Sequence, residues 1–202
     1  MLVPECLRAP LFGLALAACG GASLAASAPT TTRPDAGWLR VDARSMGLSF
    51  AVPADRPADV EPRADPHAVG VCMDAARGRE PPARDAHEEP NPRYTRSVCV
   101  RADGQTYLVA VVVALDEQDL NMFGHSIGHS VKKAERTAQF SLGAYEGAEW
   151  TRKNEDGTVE SSRAWIAKDR FYFVSTMAKS DRAAFEADAR RFLDSLVMID
   201  AP

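Results

Sequence analysis

TAQFSL (137–142), AYEGAEWTR (144–152), TVESSRAWIA (158–167) and FYFVSTM (171–177) follow one another with only short breaks between them. Each segment is rich in β-branched, aromatic or alternating apolar residues, as a half-buried strand requires. The breaks carry turn chemistry, Asp156-Gly157 in one and Lys168-Asp169-Arg170 in another. Strands this close together pair antiparallel, because a parallel connection needs a crossover of a dozen or more residues. The run therefore predicts a hairpin-connected sheet, which separates this chain from doubly wound parallel folds.

Upstream of the run, QTYLVAVVVAL (105–115) is continuously apolar, the signature of a central strand buried on both faces. Ala102-Asp103-Gly104 precedes it as a turn. Residues 47–53 (GLSFAVP) alternate Leu48, Phe50 and Val52 and read as a half-buried strand. Residues 67–76 (HAVGVCMDAA) and 94–102 (YTRSVCVRA) are expected to be two further strands, each bearing a cysteine. Residues 54–66 and 77–92 are rich in proline and charge and are expected to be loops, the second exposed and holding four prolines. The period changes over residues 116–133, where Leu120, Phe123, Ile127 and Val131 form one helical stripe. A second helix is expected from a Ser180 cap to Ser195, with Phe185, Ala189, Phe192 and Leu196 on its buried side. The result is an α+β fold, an antiparallel sheet covered by helices, with no internal repeat.

Three stretches give this pattern a family likeness. They are Gly47-Leu48-Ser49-Phe50-Ala51-Val52-Pro53, then Gly143-Ala144-Tyr145-Glu146-Gly147-Ala148-Glu149-Trp150 with its two glycines, then Lys168 to Phe173 followed by Arg191-Phe192-Leu193-Asp194-Ser195-Leu196. Together, over about residues 45–200, they resemble the PsbP-like domains, the type found in a photosystem extrinsic subunit, in the Ran-binding protein Mog and in small bacterial lipoproteins. The resemblance implies a PsbP-like α+β fold and a role in binding or stabilising partners. It brings no shared catalytic residues. The cysteine pair and the loop at 77–92 fall outside the family's pattern, so no task built on them is inherited.

The amino terminus has a different character from the rest. Residues 11–18 (LFGLALAA) are a short apolar run, the length of a signal-peptide core and too short to span a bilayer. The run ends in Leu16-Ala17-Ala18-Cys19, which resembles the lipobox of bacterial lipoproteins, where small residues fit the peptidase groove and the thiol takes the lipid. A plain secretory leader containing a cysteine is the competing reading. Residues 20–37 are small, Thr-rich and Pro-containing, as a flexible tether would be. The expected organisation is a signal peptide at 1–18, a lipidated Cys19 and tether at 19–37, and one domain at 38–202. Gly20 after the cysteine, with no aspartate there, favours an outer membrane facing the periplasm in a cell that has one. Cys72 and Cys99 are then the cysteines left in the domain, and an oxidising compartment makes a bridge between them the default over two buried thiols.

The composition bounds the partners. Of 202 residues, 26% are charged with a net charge of -4, which leaves no basic footprint for nucleic acid. No apolar run reaches the 18 residues of a membrane-spanning helix, so the expected partners are the membrane, through lipid on Cys19, and an envelope protein or ligand. Gly124-His125-Ser126-Ile127-Gly128 matches the Gly-x-Ser-x-Gly of a nucleophile elbow, but an elbow needs a strand running directly into it and a histidine later in the chain. Here polar residues 117–121 intervene, and His129 is the last histidine. His125 and His129, spaced i and i+4, are candidate metal ligands on one helix face near Met122. Solvated histidines are the competing reading. His87-Glu88-Glu89 lacks the second histidine of a zinc-protease helix and reads as solvated loop. The expectation is a non-enzymatic lipoprotein of the envelope with no catalytic residue and no cofactor. A serine hydrolase using Ser126 and a periplasmic metal-binding protein using His125 and His129 are the alternatives.

Overall fold

A computed structural model describes residues 30–35, 37–53, 60–65, 67–79, 95–179 and 184–199. Within them the chain is α+β, with two antiparallel sheets and three helices. The smaller sheet holds β1 (Thr30–Asp35), β2 (Trp38–Ala43), β3 (Leu48–Pro53) and β10 (Val197–Met198), in the order β1-β2-β3-β10. The larger holds β4 (Thr95–Ala102), β5 (Gln105–Val113), β6 (Arg136–Leu142), β7 (Tyr145–Lys153), β8 (Thr158–Ala167) and β9 (Arg170–Lys179), in the order β4-β5-β9-β8-β7-β6. Helices α1 (Ala68–Ala76), α2 (Glu117–Lys132) and α3 (Phe185–Asp194) complete the architecture.

The antiparallel hairpins expected from residues 137–177 form in consecutive register from β6 to β9. The strand expected at 105–115 is buried from Gln105 to Val111, on both faces, although it lies second from the sheet edge and not at its centre. The turn before it places Asp103 at φ 50° and Gly104 at φ 73°, the two left-handed residues of the tight turn that matches strand twist.

Strand alternation sorts the core. On one face of the larger sheet Tyr107, Val109, Trp165, Tyr172 and Val174 meet Val41, Leu48 and Phe50 of the smaller sheet, together with Phe192, Leu193 and Leu196. On the other face Leu108, Ala110 and Phe173 meet Val69, Cys72 and Met73 of α1. Helix α2 lies on that same second face, where Phe123 stacks on Phe171 with ring centroids 4.8 Å apart. Phe192 is fully buried and meets Tyr107 edge-on at 5.2 Å, and Tyr107 in turn meets Trp38 at 5.8 Å, so one aromatic file links helix, larger sheet and smaller sheet.

The end of α3 is locked to the smaller sheet by Ser195. Its hydroxyl donates to the Phe192 carbonyl at 2.6 Å and accepts from the Ala51 N–H at 2.8 Å. Arg40 Nη1 donates to the Ser195 carbonyl at 3.0 Å. Ser195 thereby satisfies a β3 backbone donor beyond the reach of the two-residue strand β10.

Five expectations are corrected. Residues 67–76 are not a strand: Ala68–Ala76 is helical, because Val69, Cys72 and Met73 at i, i+3 and i+4 make one apolar side that docks on the sheet. The helix ends in a Schellman motif, with Gly78 at φ 70° and the N–H groups of Gly78 and Arg79 on the carbonyls of Ala75 and Asp74. The tether does not extend to residue 37, since Thr30–Asp35 pairs with β2. The strands do not make a single sheet: β2, which carried no strand expectation, joins β3 in a second one. Residues 54–66 are not purely loop surface, because Val60 is fully buried and Arg63 bridges Ser97 of β4. The last helix begins at Phe185 after Ala184, without a side-chain cap. Ser180, the expected cap, lies outside the described residues.

Phe192→Ala is expected to cost about 3–5 kcal/mol, the usual range for emptying a buried Phe site, and to lower Tm strongly. Arg190→Ala, on the exposed side of the same helix, should leave Tm within a degree or two. Thermal melts of the two variants side by side check this, and equal melting would place Phe192 outside the core.

Candidate functional site

Helix α3 crosses the face of the larger sheet shared with β2 and β3, and beside it β6, β7 and β8 leave a groove. The groove has a volume of about 430 Å³, and its polar lining includes Arg136, Glu149, Arg163, Glu186, Arg190 and Asp194. Register explains the composition. Arg136, Ala138, Glu149, Thr151, Ser161 and Arg163 alternate onto the same face as Trp165, and α3 presents Glu186 and Arg190 from its exposed side.

Arg163 organises this groove. Its guanidinium donates from Nε to Glu149 Oε2 at 2.6 Å, from Nη2 to Asp194 Oδ1 at 2.7 Å and from Nη1 to the Leu193 carbonyl. The group also sits 5.1 Å from the centroid of Phe140. One planar cation thus joins β7, β8 and the C-terminal end of α3, where positive charge is favoured by the helix dipole. Two carboxylates neutralise Arg163. Among the described residues Arg136 and Arg190 carry no ion pair, and they give the groove mouth a positive lean beside Glu186.

On the opposite face, Glu160 is fully buried and accepts from Arg152 at 3.1 and 2.8 Å and from the Ser162 hydroxyl at 2.8 Å. Ser162 Oγ also lies 2.8 Å from Ser175 Oγ. This network satisfies Glu160, Ser162 and Ser175 together and leaves Glu160 no open side. At the β7–β8 turn, the Thr158 hydroxyl bond holds the Asp156 carboxyl below its ordinary value of 3.8, and Arg77, with Nε 3.9 Å from Asp156 Oδ2, acts in the same direction. Burial pushes the Tyr172 phenol above 10.0.

The residues singled out in the sequence fall as follows. Cys72 and Cys99 are joined by a disulfide with Cα atoms 6.1 Å apart. It closes a separation of 27 residues and contributes about 3–4 kcal/mol in the chain-entropy picture. Ser126 sits inside α2, not at a strand-to-helix turn, and its hydroxyl donates to the Met122 carbonyl one turn earlier at 3.0 Å. The helix starts at Asp116, whose carboxylate accepts the Asp119 N–H at 2.9 Å while Asp119 accepts the Leu115 N–H at 3.0 Å. The Gly-x-Ser-x-Gly stretch is therefore regular helix, without the geometry of an elbow. His125 and His129 are both exposed on α2. No cluster of three or more His, Cys, Asp or Glu with metal-binding placement occurs among the described residues. No helix there is long and apolar enough to cross a membrane. Cys19 and His87-Glu88-Glu89 lie outside the described residues.

The groove was missed in the sequence because its members are scattered over β6, β7, β8 and α3. One signal was present: alternation places Arg163 on the same strand face as Trp165, and a cation on a buried face requires partners.

Two variants test this arrangement. Arg163→Lys keeps the charge but cannot reach three acceptors in three directions, so it should lose about 1–3 kcal/mol and Arg163→Met no less. Urea unfolding midpoints check this. The Asp156 carboxylate stabilises the fold at neutral pH, because its folded pKa lies below its unfolded one. That contribution is lost as pH falls through the folded value. The stability advantage of the wild type over Asp156→Asn should therefore persist at pH 7 and vanish below pH 3.8, as read from unfolding curves across that range.

No protein-family model matches the chain, and no curated protein sequence matches it.

Proposed function

We propose that this chain is a lipid-anchored, non-catalytic protein of the cell envelope whose PsbP-like domain binds a partner through the groove between α3 and β6–β8. The observation that carries the anchoring is Leu16-Ala17-Ala18-Cys19 at the end of a short apolar run, ahead of a domain whose remaining cysteines are paired. Pairing of that kind belongs to compartments outside the reducing cytoplasm. The binding role rests on the groove, a concave polar surface with two cations free of ion pairs among the described residues. The PsbP-like reading draws support from β3, β7 and β9 with α3, which contain the three stretches that carry the likeness.

The helical setting of Ser126 speaks against a serine hydrolase built on it. The metal-binding reading keeps one favourable observation, two exposed imidazoles one turn apart on α2.

The full chain expressed in a bacterium with labelled palmitate should take up label, and Cys19→Ser should lose both label and membrane association. In the same cells, a photo-crosslinking residue in place of Glu186 should give a defined adduct, whereas one in place of Asp103, on the β4–β5 turn, should not. Undiminished labelling of Cys19→Ser overturns the anchor. Equal crosslinking at the two positions overturns the groove.

A further inference from the structure

Four strands bound the two sheets, and three of them are blunted. Strand β1 carries Pro34 and a register break between Thr32 and Asp35. Strand β10 is two residues long. Strand β4 is covered at Ser97, which exchanges both backbone hydrogen bonds with Arg63 at 2.8 and 3.0 Å, and it carries Arg96 and Arg101 besides. Proline, breaks, short length, charge and cover are the means by which proteins stop sheet edges from pairing.

Apart from one charge at its first residue, strand β6 has none of these among the described residues. It pairs with β7 over seven consecutive positions without a break, contains no proline, and has its single charge, Arg136, at its first residue. Residues 136–139 and 141 are exposed. The two-residue turn closes on the pair Leu142 and Tyr145. By the alternation of antiparallel ladders, Thr137, Gln139 and Ser141 therefore direct their N–H and C=O groups away from β7.

We propose that β6 is an interface on which a second copy of this chain adds edge to edge, antiparallel, with Gln139 on the twofold axis. Self-complementarity selects this occupant. In that register each outward-directed residue meets an outward-directed residue, Thr137 against Ser141 of the copy and Gln139 against Gln139. Hydroxyl meets hydroxyl and amide meets amide on one face, which are favourable cross-strand pairs. On the other face the small Ala138 lies against the large Phe140. Arg136 falls opposite Leu142, so no like charges oppose one another. The operation is a closed twofold, which stops at a dimer and does not propagate. Because Arg136 and Ala138 also line the groove, the dimer brings two grooves together across one continuous sheet. The proposal does not depend on the envelope reading.

The test is sedimentation of the full chain in detergent over a wide concentration range, with two substitutions at the axis. The wild type should reach dimer. Gln139→Pro removes an outward N–H from each copy and is tolerated at an edge, so it should weaken the dimer roughly tenfold or more while circular dichroism and Tm stay near wild type. Gln139→Cys should give a covalent dimer under mild oxidation, whereas Ser141→Cys, which faces Thr137 in this register, should not. A wild type that stays monomeric, a dimer indifferent to Gln139→Pro, or crosslinking at Ser141→Cys equal to that at Gln139→Cys overturns the proposal. A monomer that instead captures an extended peptide of another protein at β6 overturns it as well.

Discussion

Burial of β5 on both faces is the constraint from which the architecture follows. A strand reading Gln105 to Val111 without an exposed position has to be covered twice, and neither covering layer is large enough to serve both sides. The smaller sheet and α3 take one face, and α1 takes the other, with α2 beside it over β7, β8 and β9. Each cover is fastened by a specific bond as well as by apolar area. The first cover is tied to the larger sheet through Phe192 against Tyr107 and through Arg163 on the Leu193 carbonyl and Asp194, the second through the disulfide from Cys72 to Cys99 and the stacking of Phe123 on Phe171.

Much of the larger sheet was legible in the sequence, because hairpin strands announce themselves locally. Alternation, β-branched residues and Asp-Gly turns are all short-range signals, and they located β5 to β9 and both later helices. Failures occurred where tertiary packing outweighed local preference. Val69 to Cys72 has strand-like composition, yet docking of one apolar side and the bridge to Cys99 hold it helical. Gly78 was the overlooked sign, since a glycine just past an apolar stretch is how helices end. In β2 the sign was also present, since Leu39, Val41 and Ala43 alternate with Arg40 and Asp42 as in a half-buried strand. Ser49 joins them, donating to Asp42 and accepting from Arg40, a pairing visible only when β2 and β3 lie side by side.

The groove illustrates a different limit. Arg163, Glu149 and Asp194 are far apart in sequence and individually ordinary, and only the register of β7 on β8 and the placement of α3 bring them within hydrogen-bonding distance. Their arrangement consolidates the fold and shapes a surface at once. The cation that fixes α3 is neutralised, and the charge left without an ion pair among the described residues lies at Arg136 and Arg190. The arginine that holds the fold together and the arginines that charge the surface are thus different residues.

The bridge from Cys72 to Cys99 has a further consequence. All residues numbered 73 to 98 lie inside a covalent ring. A protease that cuts one peptide bond in the proline-rich stretch within it produces two polypeptides that remain a single molecule, with α1 still joined to β4. Only a second cut inside the ring, or reduction, releases a piece. That is tolerance of damage: a nicked copy keeps the helix that covers its sheet.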